Sequence, residues 1–189
     1  MLNRDGKIIF NLNGESDVKE LRVTASTDIL DSNIKETQSA LDRKSRSLEI
    51  LKQRNIPFIT RLPVIVSDED VQIRPKEEVA KRAIALAIIS TYAADLANKT
   101  PRNECKELLD SLTDRFSAWG FFTEEERNFI NGDPDEITII QFAWKYECLW
   151  VFLWALGFIK DLDYPDKICD VSEAISYLKD EHSFESFLN

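Results

Sequence analysis

Residues 136–156 read EITIIQFAWKYECLWVFLWAL, and Gly157 follows where a helix C-cap belongs. At 100° per residue the apolar side chains of this stretch cover the whole circumference. Leu149, Phe152 and Leu156 flank Lys145, while Ile140, Trp154 and Phe158 flank Glu147. A helix without a wet face belongs inside a protein or a membrane. The unbroken apolar run of residues 148–159 is 12 residues long, against the roughly 20 needed to cross a bilayer. The expectation is therefore a buried, tryptophan-rich central helix, with Trp144, Trp150 and Trp154 committed to core packing rather than to stacking on a sugar or base.

Working outward, residues 79–97, VAKRAIALAIISTYAADLA, form a second helix that is apolar on most sides and rich in alanine, which allows neighbours to come close. Pro75 suits its first turn, Glu77 and Glu78 favour the amino end of its dipole, and it should run to about Asn98. Thr100-Pro101 opens a helix expected to end at Gly120, with Phe116 and Phe121 meeting across a glycine cap. Thr123 and Glu126 have capping-box spacing, and Gly132 with Pro134 closes the short helix they start. A turn at residues 163–166 precedes Asp170 and Glu173, a capping pattern for a last helix reaching about Lys179.

Towards the amino terminus, Pro57, Pro63 and Pro75 exclude continuous helix, so residues 57–75 read as an extended strap with short edge strands. Residues 34–54 contain neither Gly nor Pro, and Ile34, Leu41 and Leu48 recur every seven positions beside Leu51. That narrow stripe predicts a surface helix. Residues 7–12 and 20–24 are β-prone and flank Asn13-Gly14, a hairpin pattern. The chain thus reads as an N-terminal extension, 1–33, with a β-hairpin or extended form, and a helical domain, 34–189. The fold class is mainly α with a single core.

Composition narrows the function. The 189 residues are 43% hydrophobic and carry a net charge of −10, which repels phosphate backbones and anionic lipid and so argues against nucleic acid and membrane as partners. The excess is local: residues 75–189 carry 22 acidic and 12 basic side chains, while residues 1–74 carry 12 of each. Such polarity suits a basic protein partner. Cys105, Cys148 and Cys169 have neither disulfide-scaffold density nor zinc-site spacing, which fits buried thiols in a reducing cytoplasm. His182 is the sole histidine, so a His-dependent triad or multi-His metal site cannot be built within one chain. No glycine-rich phosphate loop or dinucleotide fingerprint is present, and no cofactor or metal is expected. Asp161, Asp163, Asp166 and Asp170 cluster in sequence without calcium-loop spacing.

Glu147 stands out, because a carboxylate on an apolar helix needs a cation or hydrogen-bond donors. Arg82, in the middle of the alanine-rich helix, is the expected partner. An Arg82–Glu147 pair would either fix the register of two core helices or anchor a ligand in a pocket bordered by Trp144 and Trp150.

Together, RKSRSLEILKQRNIPFITRLPVI from Arg43, VQIRPKEEVAKRAIAL from Val71, IQFAWKYECLWVFLWALGFI from Ile140 and PDKICDV from Pro165 resemble the bacterial domain-of-unknown-function family 4272, DUF4272, over residues 42–175. The resemblance implies a bacterial, cytoplasmic, mostly helical domain without an assigned activity, and no catalytic residue carries over from it. The leading expectation is a non-catalytic protein-interaction domain, immunity-like in its acidity. The alternative is an enzyme or small-ligand binder using Arg82, Trp144, Glu147 and Trp150. A third reading is a homo-oligomer joined through the strap.

Overall fold

In the computed structural model, residues 36–164 and 166–188 are described. They form α1 (Gln38–Gln53), α2 (Lys76–Ala97), α3 (Arg102–Phe116), a 3-10 turn (Ala118–Phe121), α4 (Glu124–Asn131), α5 (Glu136–Ala143), α6 (Lys145–Leu156), α7 (Val171–Lys179) and α8 (Phe184–Leu188), with no strand among the described residues. The two β-prone segments at 7–12 and 20–24, and a domain boundary at 33/34, lie outside these residues. The described chain falls into two compact units, one ending at Ile73 and the other beginning at Arg74.

In the second unit, alanine determines what sits at the centre. Ala80, Ala83, Ala85, Ala87 and Ala93 are buried together with Ile84, Leu86, Ile88, Ile89 and Tyr92, so α2 is enclosed on most of its surface. Small side chains let helix axes approach closely, and α3, α5, α6, α8 and the 3-10 turn all pack on α2. The central helix is therefore the alanine-rich one.

Residues 136–156 depart from the expectation in two ways. They form two helices, broken at Trp144, rather than one. Their large buried side chains, Phe142, Tyr146, Leu149 and Leu153, recur at steps of four, three and four, and with the buried Ala143 beside them make a single stripe facing inward. The opposite side is wet: Cys148, Val151, Trp154 and Ala155 are exposed, Trp154 by 44%. The segment is thus not enclosed on all sides, and Cys148 is not a buried thiol.

Several ends follow local chemistry. Thr123 Oγ1 accepts from the Glu126 amide at 3.2 Å, and the Glu126 carboxylate accepts from the Thr123 amide at 2.9 Å, completing the capping box of α4. Asp170 caps α7 by accepting from the Glu173 amide at 2.9 Å. Gly157, with φ 87°, ends α6 in the left-handed region, where glycine is least strained. Lys99 does the same after α2 with φ 63°, an uncommon conformation for a side-chain-bearing residue. The third helix stops at Phe116 instead of Gly120, with Ser117 left-handed at φ 49°. This break lets Phe116, Ala118 and Phe122 all be buried, whereas in one helix Phe116 and Ala118 would point to opposite sides.

The first unit is a surface helix and an extended strap. Thr37 caps α1 by accepting from the Ala40 amide at 3.3 Å, and among the residues of α1 only Ala40 is buried. Arg43 pairs with Asp68 and donates to the Val66 carbonyl, while Lys44 donates to the Leu62 carbonyl. The helix thereby holds the strap by its backbone. Val64 and Ser67 are buried, but Ile65 is 70% and Ile73 88% exposed, and Phe58, Ile59, Leu62, Val66 and Val71 are exposed as well.

Candidate binding cleft

Arg82 does not meet Glu147. Its guanidinium makes a two-pronged pair with Glu126, Nη1 donating to Oε2 at 2.8 Å and Nη2 to Oε1. Lys145 adds a second cation at 3.5 Å from Glu126 and lies 4.5 Å from the centre of the Phe142 ring. Glu126 is 0% exposed. Burial alone would raise its pKa, but the hydrogen bonds from Arg82 and the Thr123 amide, together with the charges of Arg82 and Lys145, outweigh it and hold the carboxyl below its ordinary value. One carboxylate thus caps α4 and ties it to α2 and α6. The expectation fixed on Glu147 because that residue stands out on an apolar helix, whereas Glu126 sits in a charged segment and already has a local role.

Glu147 is left with a different neighbourhood. Its Oε1 accepts from the Cys169 amide at 2.7 Å, tethering the loop before α7 to α6. Burial, then the negative charge of Glu147 and a hydrogen bond to it, push the Cys169 thiol up to about 12. That sulfur stays protonated and unreactive at neutral pH. Among the described residues no Lys or Arg pairs with Glu147.

Beside this carboxylate an open cleft of about 200 Å3 is walled by Ala94 of α2, Ala143 and Trp144 at the α5–α6 junction, and Ile168 and Val171 at the start of α7. Tyr146 completes the wall together with Glu147. The tyrosine hydroxyl lies 3.0 Å from Thr91 Oγ1, and burial raises its pKa against the opposing effect of that hydrogen bond. The lining is apolar apart from these two side chains. Of the four sequence-derived candidates, Trp144 and Glu147 line the cleft, Arg82 is committed to Glu126, and Trp150 packs against the core. Ala94, Ile168 and Val171 went unnoticed in the sequence because isolated small apolar residues carry no pattern.

A second, larger groove of about 400 Å3 runs between α2, α3 and α7, with Ala87, Ile88, Leu112 and Phe116 in its wall and exposed Arg115 and Lys179 at its rim. Among the described residues there is no group of three or more His, Cys, Asp or Glu side chains placed to hold a metal ion, and the aspartates at 161, 163, 166 and 170 form none. His182 is exposed. No described helix is long and apolar enough to cross a membrane.

A family model described as a domain of unknown function, DUF4272, matches residues 43–189. No curated protein and no solved structure matches the chain.

Proposed function

The chain belongs to the DUF4272 family, and since that description assigns no activity, we propose that its helical unit is a non-catalytic binding domain for a small ligand, seated at the Glu147 cleft. The observation that carries this reading is the combination of an open apolar recess with one carboxylate that has no cationic partner among the described residues. Few oriented polar groups on apolar walls are the usual composition of small-molecule sites. Binding is favoured over catalysis because the ionisable neighbours hold their protons: Cys169 is pushed up to about 12, and Tyr146 is raised by burial. The test is a titration, followed by protein NMR, with small aromatic compounds bearing positive, neutral and negative groups. Saturable shifts confined to residues around Trp144 and Val171 are expected; shifts scattered over the surface, or none, would remove the reading.

A protein partner for the first unit is the second reading, and the exposure of Ile65 and Ile73 is what favours it. Apolar side chains of this size placed along an extended segment mark contact surfaces more often than isolated ones do. The partner is expected to be a second copy of the chain, since residues 1–74 carry 12 acidic and 12 basic side chains and give no preference for a charged partner. Light scattering and low-salt copurification with the unaltered protein and with Ile65→Asp/Ile73→Asp would decide it. An association that survives the double substitution would place the contact elsewhere.

A further inference from the structure

We propose that the Glu147 cleft selects an organic ammonium ion with a small apolar body, its charge resting on the Glu147 carboxylate and its body against the Trp144 indole. This rests on the ligand-binding reading above and adds the chemical class. Three independent observations bear on the charge. Arg82 and Lys145, two cations on the helices that form the cleft, are both turned to Glu126, so neither neutralises Glu147. The donors that Glu147 does have are the Cys169 amide and thiol, neutral groups that fix the carboxylate in place and leave its charge without a cation among the described residues. Residues 75–189 carry 22 acidic against 12 basic side chains, so the wider field also attracts cations and repels anions.

The walls set the rest of the ligand. Ala94, Ala143, Ile168 and Val171 offer no hydrogen-bonding side chain, so the body of the ligand is apolar. A volume of about 200 Å3 is smaller than the roughly 300–1,000 Å3 of sites for drug-sized molecules, which limits the body to about one ring or a short branched chain. An indole within reach of an ammonium group adds attraction through its negative face. A carboxylate ligand would meet Glu147 as a like charge and is excluded. The larger groove between α2, α3 and α7 has the opposite rim, Arg115 and Lys179, and serves as an internal control.

The probes are 2-phenylethylammonium, 2-phenylethanol and phenylacetate, matched in body and differing in charge, titrated into the full chain with detection by NMR. The ammonium compound is expected to saturate shifts at Trp144 and Val171, with the alcohol at least about tenfold weaker and the acid silent there. Glu147→Gln, which keeps an acceptor for the Cys169 amide, should weaken the ammonium compound to the level of the alcohol. Val171→Trp, built from an exposed position, should close the cleft to all three probes. If the alcohol binds as tightly as the ammonium compound, the charge inference is overturned while the cleft remains a ligand site. If none of the probes gives saturable shifts at the cleft, both are overturned. The comparison of ammonium with alcohol uses the unaltered protein and so does not depend on any variant folding.

Discussion

Helices α2 and α6 are both apolar around most of their circumference, yet α2 is enclosed and α6 leaves Cys148, Val151, Trp154 and Ala155 in solvent. The difference is side-chain size. Alanines along α2 let five other elements come against it, whereas the aromatic residues of α6 fill one inward stripe and project outward elsewhere. Apolar content alone marks a helix as belonging to the core region, and the volume of its side chains decides whether it can be the centre.

The comparison can be broken most forcefully at the charges. Arg82→Ala would leave Glu126 buried with only Lys145 nearby, and the expected loss is about 3 kcal/mol, the lower end for breaking a buried pair, read by urea unfolding. Glu147→Gln should cost under about 1 kcal/mol, because it removes no ion pair among the described residues and preserves the acceptor for Cys169. Equal losses would restore the Arg82–Glu147 pairing expected from the sequence. Because the folded-state pKa of Glu126 lies below its ordinary value near 4.5, its contribution is fully present above that pH and fades as the pH falls through the lower folded value. Glu126→Gln should flatten that acid limb of a stability-against-pH profile.

Packing comes next in size. Ala83→Leu inserts bulk at a fully buried position on α2 and should cost about 1–3 kcal/mol. Ala155→Leu, the same enlargement on the exposed side of α6, should stay within about 0.5 kcal/mol of the unaltered protein. Comparable losses at both sites would contradict the assignment of centre and periphery. The helix ends sharpen the contrast on a smaller scale. Gly157→Ala places a side chain at φ 87° and should cost about 1 kcal/mol, while Lys99→Gly relieves φ 63° and should gain about 0.5 kcal/mol, both read from thermal melts.

What the sequence conveyed was local. Thr123 with Glu126, Asp170 with Glu173 and the Gly157 stop are patterns of one to four residues, and the chain obeys them because the groups that satisfy a helix end lie within reach of its own backbone. The strap's refusal to be helix followed equally from three prolines. Three features were not legible. The breaks at Ser117 and Trp144 carry neither proline nor glycine; the first answers the need to bury Phe116 and Ala118 together, and nothing in the structure explains the second. Glu126 reaches Arg82 across 44 positions, and its capping role gave no hint of it. The cleft could be guessed at Trp144 and Glu147 from the oddity of a charge on an apolar helix, but its remaining walls come from α2 and from the loop before α7.

The claim at the centre of this account is that Glu147, without a cationic partner among the described residues because Arg82 and Lys145 both pair with Glu126, is the charged end of a ligand site. A crystal of the protein grown with 2-phenylethylammonium tests it directly. The ammonium nitrogen is expected within hydrogen-bond distance of the Glu147 carboxylate, with the ring against Trp144. A ligand seated in the groove beside Arg115 and Lys179, or a cleft closed by side chains of the protein itself, would contradict it.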